Sequence, residues 1–455
     1  MMKDPDILSD PAFAARGRTF EGTDQKAPLR DGLIAAGQFD DLQTAGRFYS
    51  MVCVSLEITQ RCNLDCTLCY LSDRAELAHD IPLPILFTRI AMIAQHYGPG
   101  TPVQISGGDP TLRPIEDLEA ICTEIRRLGL RSCLMTNGIR ATRAMLSRLA
   151  RAGLDDVAFH VDLTEERKGF PTEASLNTVR RDYIDRAKGL GLRILFNTTV
   201  FDGNIDELPL LAQFFRDHAA DVTLASFQMG ADTGRGVSDH HAKAVSRDIV
   251  SDALSNGFGT DLRASLAIGH RECNRYDILL VAGKMAISAT SDTSFLRQFI
   301  PAIEDPNVER NAPVIWRMIR RKPGIILKGL FKGLGLLWQI RTGLITSRGR
   351  VHRMSVLIHS FMDADQLDAE RCASCVFMTM TSDGPISMCA FNAKRDALIF
   401  KPVPVQKGRS TEWWSAATGE VTKLPDQTEP KSAPFKLLKG RQRALAARER
   451  QLQKP

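Results

Sequence analysis

Acidic residues are missing from one long stretch of this chain: between Arg310 and Met362 there are eleven Lys and Arg and no Asp or Glu. The whole chain carries +6, so the remainder sums to 6 − 11 = −5 and the basic character is local. That argues against a generally cationic nucleic-acid binder and for one anion-seeking face. The basic stretch is Leu-rich with few aromatics, which leaves little for base stacking. No nucleic-acid partner is expected. Lys328 and Lys332 interrupt the longest apolar candidate, so it falls short of the roughly 20 apolar residues of a membrane span. The opening Met1-Met2-Lys3-Asp4-Pro5-Asp6 lacks the apolar core of a secretory leader. Ten cysteines in such a chain imply a reducing, cytoplasmic setting with metal or redox use of the thiols, not a disulfide scaffold.

Three of those cysteines lie within eight residues. Cys62, Cys66 and Cys69 read C-x3-C-x2-C, just after a strand-like stretch from Val52 to Ile58. Three sulfurs this close can curl around one [4Fe–4S] cube, whose full protein set is four. The fourth iron is then open to a small chelating molecule. A zinc site would usually take two close pairs, and no second pair lies near. An odd trio also argues against a disulfide.

Helical and strand patterns alternate after this loop. Helices are expected at 82–97, 114–128, 141–152, 173–190 and 206–218. Short apolar strands are expected at 103–105, 132–135, 157–161, 193–200 and 222–228. Six consecutive βα units predict a parallel, right-handed, partial TIM-like (β/α)6 barrel, with its chemistry on the loops that follow the strands. The chain divides into an N-terminal cap (1–50), the barrel (51–240), a connecting region with Cys273 (241–309), the basic amphipathic segment (310–362), a second cysteine region (363–410) and a polar tail (411–455).

The cysteine trio resembles the signature of the radical S-adenosylmethionine (SAM) superfamily, whose open iron binds the cofactor's amino and carboxylate groups. The resemblance implies a [4Fe–4S] cluster on Cys62, Cys66 and Cys69, S-adenosylmethionine, and an electron donor such as flavodoxin or ferredoxin. It implies reductive cleavage to a 5′-deoxyadenosyl radical that abstracts hydrogen from an unactivated carbon. Ser106-Gly107-Gly108-Asp109 follows the second strand and resembles the family's glycine-rich motif that grips the methionine amino group. Asp109 stands where the family more often has Glu, so the carbonyls of Ser106 and Gly107 are the firmer contacts. Asn137 after the third strand, Asp162 after the fourth and Asn197 in the fifth are expected to bond the ribose hydroxyls and the methionine carboxylate. Leu68 replaces a usual aromatic residue, with Tyr70 close by. Phe227, Gln228, Gly234 and Arg235 follow as candidate contacts for substrate or cofactor.

A second set lies far downstream: Cys273, the C-x2-C pair Cys372 and Cys375, and Cys389. Four thiolates would complete an auxiliary [4Fe–4S] cluster; an all-cysteine zinc site fits the count equally well, and buried free thiols are the third reading. The stretches around Cys273 and Cys389 resemble a radical branch that includes the archaeal tetraether lipid synthase and a dihydropterin methyltransferase. Cys53, Cys122 and Cys133 read as small core residues.

In the segment 325–339, Leu327, Leu330, Phe331, Leu334, Leu337 and Trp338 share one helical face and Lys328, Lys332 and Gln339 lie opposite. Arg317, Arg320, Arg321 and Lys322 precede it. Such a helix suits an anionic membrane surface, giving an expectation of a cytoplasmic protein peripheral to the membrane, with a lipid or other small-molecule substrate. A radical methyltransferase acting on a pterin-like molecule is the rival enzyme. A non-catalytic iron–sulfur carrier or redox sensor is the rival of another class, and it would form no 5′-deoxyadenosine.

Overall fold

The computed structural model describes residues 26–72, 74–233, 245–263, 265–304, 323–408 and 410–425. The expected alternation is there. Strands β1 (Cys53–Thr59), β2 (Pro102–Gly107), β3 (Arg131–Thr136), β4 (Asp156–His160), β5 (Arg193–Val200) and β6 (Val222–Met229) alternate with helices Leu83–Tyr97, Ile115–Arg127, Arg143–Ala152, Glu173–Ala187 and Leu208–Asp217. Val54 through Thr59 are buried without a break, because a parallel strand is covered on both faces. The helices answer with stripes: Leu118, Ile121, Cys122 and Ile125 are the buried residues of helix Ile115–Arg127, spaced as one helical face.

Beyond residue 240 the sequence pattern loses its period, yet the sheet continues. The later strands are β7 (Leu266–Ala267), β8 (Asn274–Ala282), β9 (Met285–Ser288), β10 (His352–Ser360), β11 (Phe377–Thr381) and β12 (Gly384–Ser387). The sheet has twelve strands, with β11 beside β1 at one flank and β10 beside β6 at the other. Both pairings are parallel. The expected six parallel strands are therefore extended to eight: β10 comes after the antiparallel β8–β9 hairpin and helices Thr293–Ile303, Pro323–Gln339 and Arg341–Thr346, and β11 after the short helix Ala369–Ala373. The two flanks meet where the His359 ring of β10 lies 4.3 Å from the Phe377 ring of β11.

The cap contributes helix Ala27–Ala35 and the fully buried Gln43, whose amide donates to the Gly269 carbonyl at 2.7 Å. The polar tail begins later than its composition implied. β13 (Val403–Lys407), β14 (Ser410–Trp414) and β15 (Val421–Thr422) form a small sheet, and Trp414 packs with Val403, Val405 and Ile85. Residues 426–455 lie outside the described residues, as do Arg317, Arg320, Arg321 and Lys322. The amphipathic segment is helix Pro323–Gln339. Among the described residues no helix is long and apolar enough to cross a membrane.

Candidate active site and a second cysteine pocket

The C-terminal ends of β1 and β2 are locked together by backbone. Gly108 N donates to Thr59 O at 3.0 Å and Asp109 N to Arg61 O at 2.8 Å. A side chain has no room here: a Cβ on Gly107 would fall 1.9 Å from Thr59 O, and one on Gly108 2.0 Å from Arg61 O. Gly107 also has φ +125°, the region that favours glycine. The glycines thus let the second loop press against the cysteine loop's own main chain. Tyr70 closes the same junction, its hydroxyl donating to the Gly107 carbonyl at 2.7 Å.

Cys62, Cys66 and Cys69 are half-buried in this loop and none is in a disulfide. Burial pushes the Cys66 thiol well up, and Glu165, Cys69 and Cys62 push it further. The loop is pinned across the barrel mouth by Thr67 N, which donates to Thr164 O at 2.8 Å, and by Asn137 Nδ2, which donates to Asn63 Oδ1 at 2.7 Å.

The other expected contacts divide. The Asp109 carboxylate is fully buried and committed to the protein: it accepts from Thr111 N at 2.9 Å, from Thr136 Oγ1 at 2.9 Å and from Asn137 N at 2.9 Å. It ties the second and third loops together, and Ser106 Oγ pairs with Ser55 Oγ at 2.6 Å. Asp162 is also fully buried, receiving Thr199 N and His160 Nε2, each at 2.7 Å. Burial would raise the Asp162 carboxyl, but His160 and Thr164 outweigh it and hold it below the usual range. For His160 burial works against the charge, and Asp162 overrides it to push the imidazole up to about 9. Asn197 Nδ2 lies 3.1 Å from His160 Nδ1 and 3.4 Å from Gln228 Oε1. Phe227 is a core residue facing Phe215, and Gly234 and Arg235 lie outside the described residues.

Three features of the site escaped sequence reading. His160 stands two residues before Asp162, the spacing that puts both on one side of a strand; that signal was available. Glu165 is buried beside Cys66, pushed up to about 7 by burial against the pull of Arg167, and its Oε1 has no hydrogen-bond partner among the described residues. Arg395 reaches back 338 residues to bond both oxygens of Glu57 at 2.7 Å and stacks over Tyr70 at 4.8 Å. Nothing local announces that link.

The downstream cysteines also gather. Cys273, Cys372, Cys375 and Cys389 all line one pocket at the meeting of β10 and β11, together with His270, His359, Arg371 and Ser374. Gly269, at φ +71°, allows the approach, since a Cβ there would meet Val376 at 2.9 Å. Helix Ala369–Ala373, capped by Asp368, carries Cys372, and Ser387 caps the helix Met388–Ala393 that carries Cys389. Arg371 Nε lies 3.4 Å from Cys273 Sγ. Burial pushes the Cys389 thiol up to about 11 and the Cys375 thiol higher still. Among the described residues no three His, Cys, Asp or Glu side chains converge on a single-ion geometry. Cys122 and Cys133 are buried, and Cys53 is half-exposed on β1.

Residues 56–215 match the model of the radical SAM superfamily. The chain is 34% identical over 164 residues to the PqqA peptide cyclase of Methylobacterium sp. (strain 4-46), a match covering 34% of this chain and 41% of that protein. It is 30% identical over 176 residues to the GTP 3′,8-cyclase of Marinobacter nauticus (strain ATCC 700491 / DSM 11845 / VT8), covering 37% and 52% respectively. The chain thus spans about half or less of the length of these relatives. Among solved structures, Streptococcus suis SuiB bound to S-adenosylmethionine aligns at 14% identity with TM-score 0.34, over 45% of this chain and 47% of that one. Native anSMEcpe with bound AdoMet and a peptide aligns at 16% identity with TM-score 0.35, over 46% and 59%.

Proposed function

We propose that this chain, whose residues 56–215 match the radical SAM superfamily model, is a radical SAM enzyme that removes hydrogen from an unactivated carbon of a hydrophobic, lipid-like substrate. A [4Fe–4S] cluster with S-adenosylmethionine, when bound, supplies the one-electron chemistry that no side chain can. The residues fit that group. Cys62, Cys66 and Cys69 lie on one loop, with Cys62 and Cys69 near enough to raise the Cys66 thiol, and three thiolates suit three irons of a cube.

The observation that carries the reading is the interlock of Thr59–Arg61 with Gly107–Asp109, which presents the thiols and the Gly107 carbonyl at one barrel end. Tyr70 occupies one lone pair of that carbonyl and leaves the other for the methionine ammonium. His160, held by Asp162, orients the Asn197 amide, and Asn197 with Gln228 is proposed to bond the cofactor's carboxylate and hydroxyls. Asn137 is proposed to contribute from the third loop. Asp109 acts as a brace between loops. A carrier or sensor would need the thiols alone; this built rim favours the enzyme.

At the second pocket an auxiliary [4Fe–4S] cluster is proposed on Cys273, Cys372, Cys375 and Cys389, whose number matches the protein ligand set of one cube; an all-cysteine zinc site fits the same count. The hydrophobic substrate is argued from helix Pro323–Gln339, where Leu330 is 61% and Trp338 69% exposed and no residue is buried. Leu337 alone of the expected face packs inward. Lys332 turns to Asp292 on the protein side, so the apolar stripe faces outward, amid cations without a single acid from 310 to 362. An anionic membrane surface on the cytoplasmic side complements it.

The test is cofactor turnover. Protein reconstituted anaerobically with iron and sulfide, then reduced, should convert S-adenosylmethionine to 5′-deoxyadenosine and methionine. The Cys62→Ala, Cys66→Ala, Cys69→Ala variant should fall to background. Undiminished cleavage in that variant would sink the assignment.

A further inference from the structure

The four-cysteine pocket holds a donor that none of these roles uses. His359, near the end of β10, is 6% exposed and lines the pocket. Its ring is clamped by Phe361 and Phe377, with centroids 4.1 and 4.3 Å away. Its Nδ1 faces Asn274 Oδ1, in the residue next to Cys273. The Asn274 amide nitrogen donates to the Ile268 carbonyl at 2.9 Å, so the atom turned to the imidazole is an acceptor and Nδ1 carries the proton. A neutral imidazole has one N–H; Nε2 is therefore a bare lone pair. That atom is buried and, among the described residues, has no hydrogen-bond partner. Ser374 Oγ, the pocket's other orphan, does not reach it.

A buried acceptor without a partner is costly unless something arrives to fill it. Metal-binding histidines show this arrangement: one ring N–H tied to a carbonyl, which fixes the tautomer and aims the other nitrogen. We propose that His359 Nε2 is a ligand of the metal group held at the four-cysteine pocket, which gives that group a mixed sulfur and nitrogen donor set. This rests on the reading of the pocket as an auxiliary cluster site. Five donors exceed the four protein positions of a cube. The set is therefore His359 with three of the four thiols. Imidazole in place of thiolate removes one negative charge from the group and raises its reduction potential. Arg371, beside Cys273, acts in the same direction.

The experiment uses the full chain with Cys62, Cys66 and Cys69 replaced by Ala, reconstituted with iron and sulfide, reduced and examined by pulsed electron paramagnetic resonance. A directly bound nitrogen should appear, shift isotope in protein grown with ¹⁵N-histidine, and vanish in a further His359→Cys variant that keeps its iron. The His359→Cys cluster should also have a lower midpoint potential. Iron bound with no histidine nitrogen in the labelled protein overturns the proposal and leaves the auxiliary reading intact. No bound metal at all overturns the auxiliary reading, and this proposal with it. The labelled protein decides even if the substituted one does not fold.

Discussion

The two cysteine sites are built by opposite means. At the first, three thiols come from eight residues of chain, and the cradle is main chain against main chain, with Gly107 and Gly108 pressed on Thr59 and Arg61. At the second, four thiols arrive from three stretches between Cys273 and Cys389, and side chains do the fastening: Arg371 to Cys273, Asn274 to His359, Asp368 and Ser387 as helix caps. A backbone cradle tolerates no substitution at its contact points but leaves its spacing in the sequence. A side-chain cradle spreads its tolerance over many positions and leaves only a cysteine count.

That contrast can be broken at its strongest point. Gly108→Ala should cost about 1–3 kcal/mol in strain and cut iron uptake at the Cys62–Cys69 loop, because the new methyl would meet the Arg61 carbonyl. Iron counting on single-site variants would show it: Gly108→Ala should leave the second pocket loaded. Equal loss at both sites would mean that the two cradles are not independent.

A smaller effect concerns the helix Pro323–Gln339. Wild type should co-sediment with anionic vesicles at low salt, less so at high salt, and weakly with neutral ones, as screened charge requires. A Leu330→Glu, Trp338→Glu variant should stay in the supernatant while its melting temperature moves by only a few degrees, since both side chains are already exposed. Equal sedimentation of the two proteins would remove the main support for a lipid-like substrate.

The smallest effect is the pH dependence of the His160–Asp162 pair. The imidazole keeps its proton in the folded protein up to about 9, while the unfolded chain releases it near 6.5. The pair's contribution is therefore complete below about pH 6.5 and lost as pH rises toward 9. Melting temperatures across this window should fall more steeply for wild type than for His160→Gln; parallel curves would show that His160 is neutral in the folded state.

Legibility followed the same divide. β1 to β6 and their helices could be read because apolar runs and amphipathic stripes are local properties, and the Cys62–Cys69 spacing is local too. β10 and β11 escaped because no regular βα period leads to them; their partners β6 and β1 are remote in sequence. Asp109 and Asp162 were found as residues, yet their hydrogen bonds are spent inside the protein, which no spacing reveals. Glu57–Arg395 was invisible for the simplest reason: neither residue carries a pattern, and the barrel alone makes them neighbours.

The pairing of Cys53 with Phe377 sets an order on the birth of the molecule. The two residues are 377 − 53 = 324 positions apart. A ribosome makes β1 and the whole run to β6 long before the strand that covers the outer edge of β1 exists. During synthesis that edge is an open ladder of unpaired amides, the kind that recruits wrong partners. Closure waits for a contact of very long loop length, which is slow by nature. The strand that covers that edge carries Cys372 and Cys375 just ahead of it and Cys389 just behind, so the step that covers β1 also brings three of the second set's four thiols to the sheet.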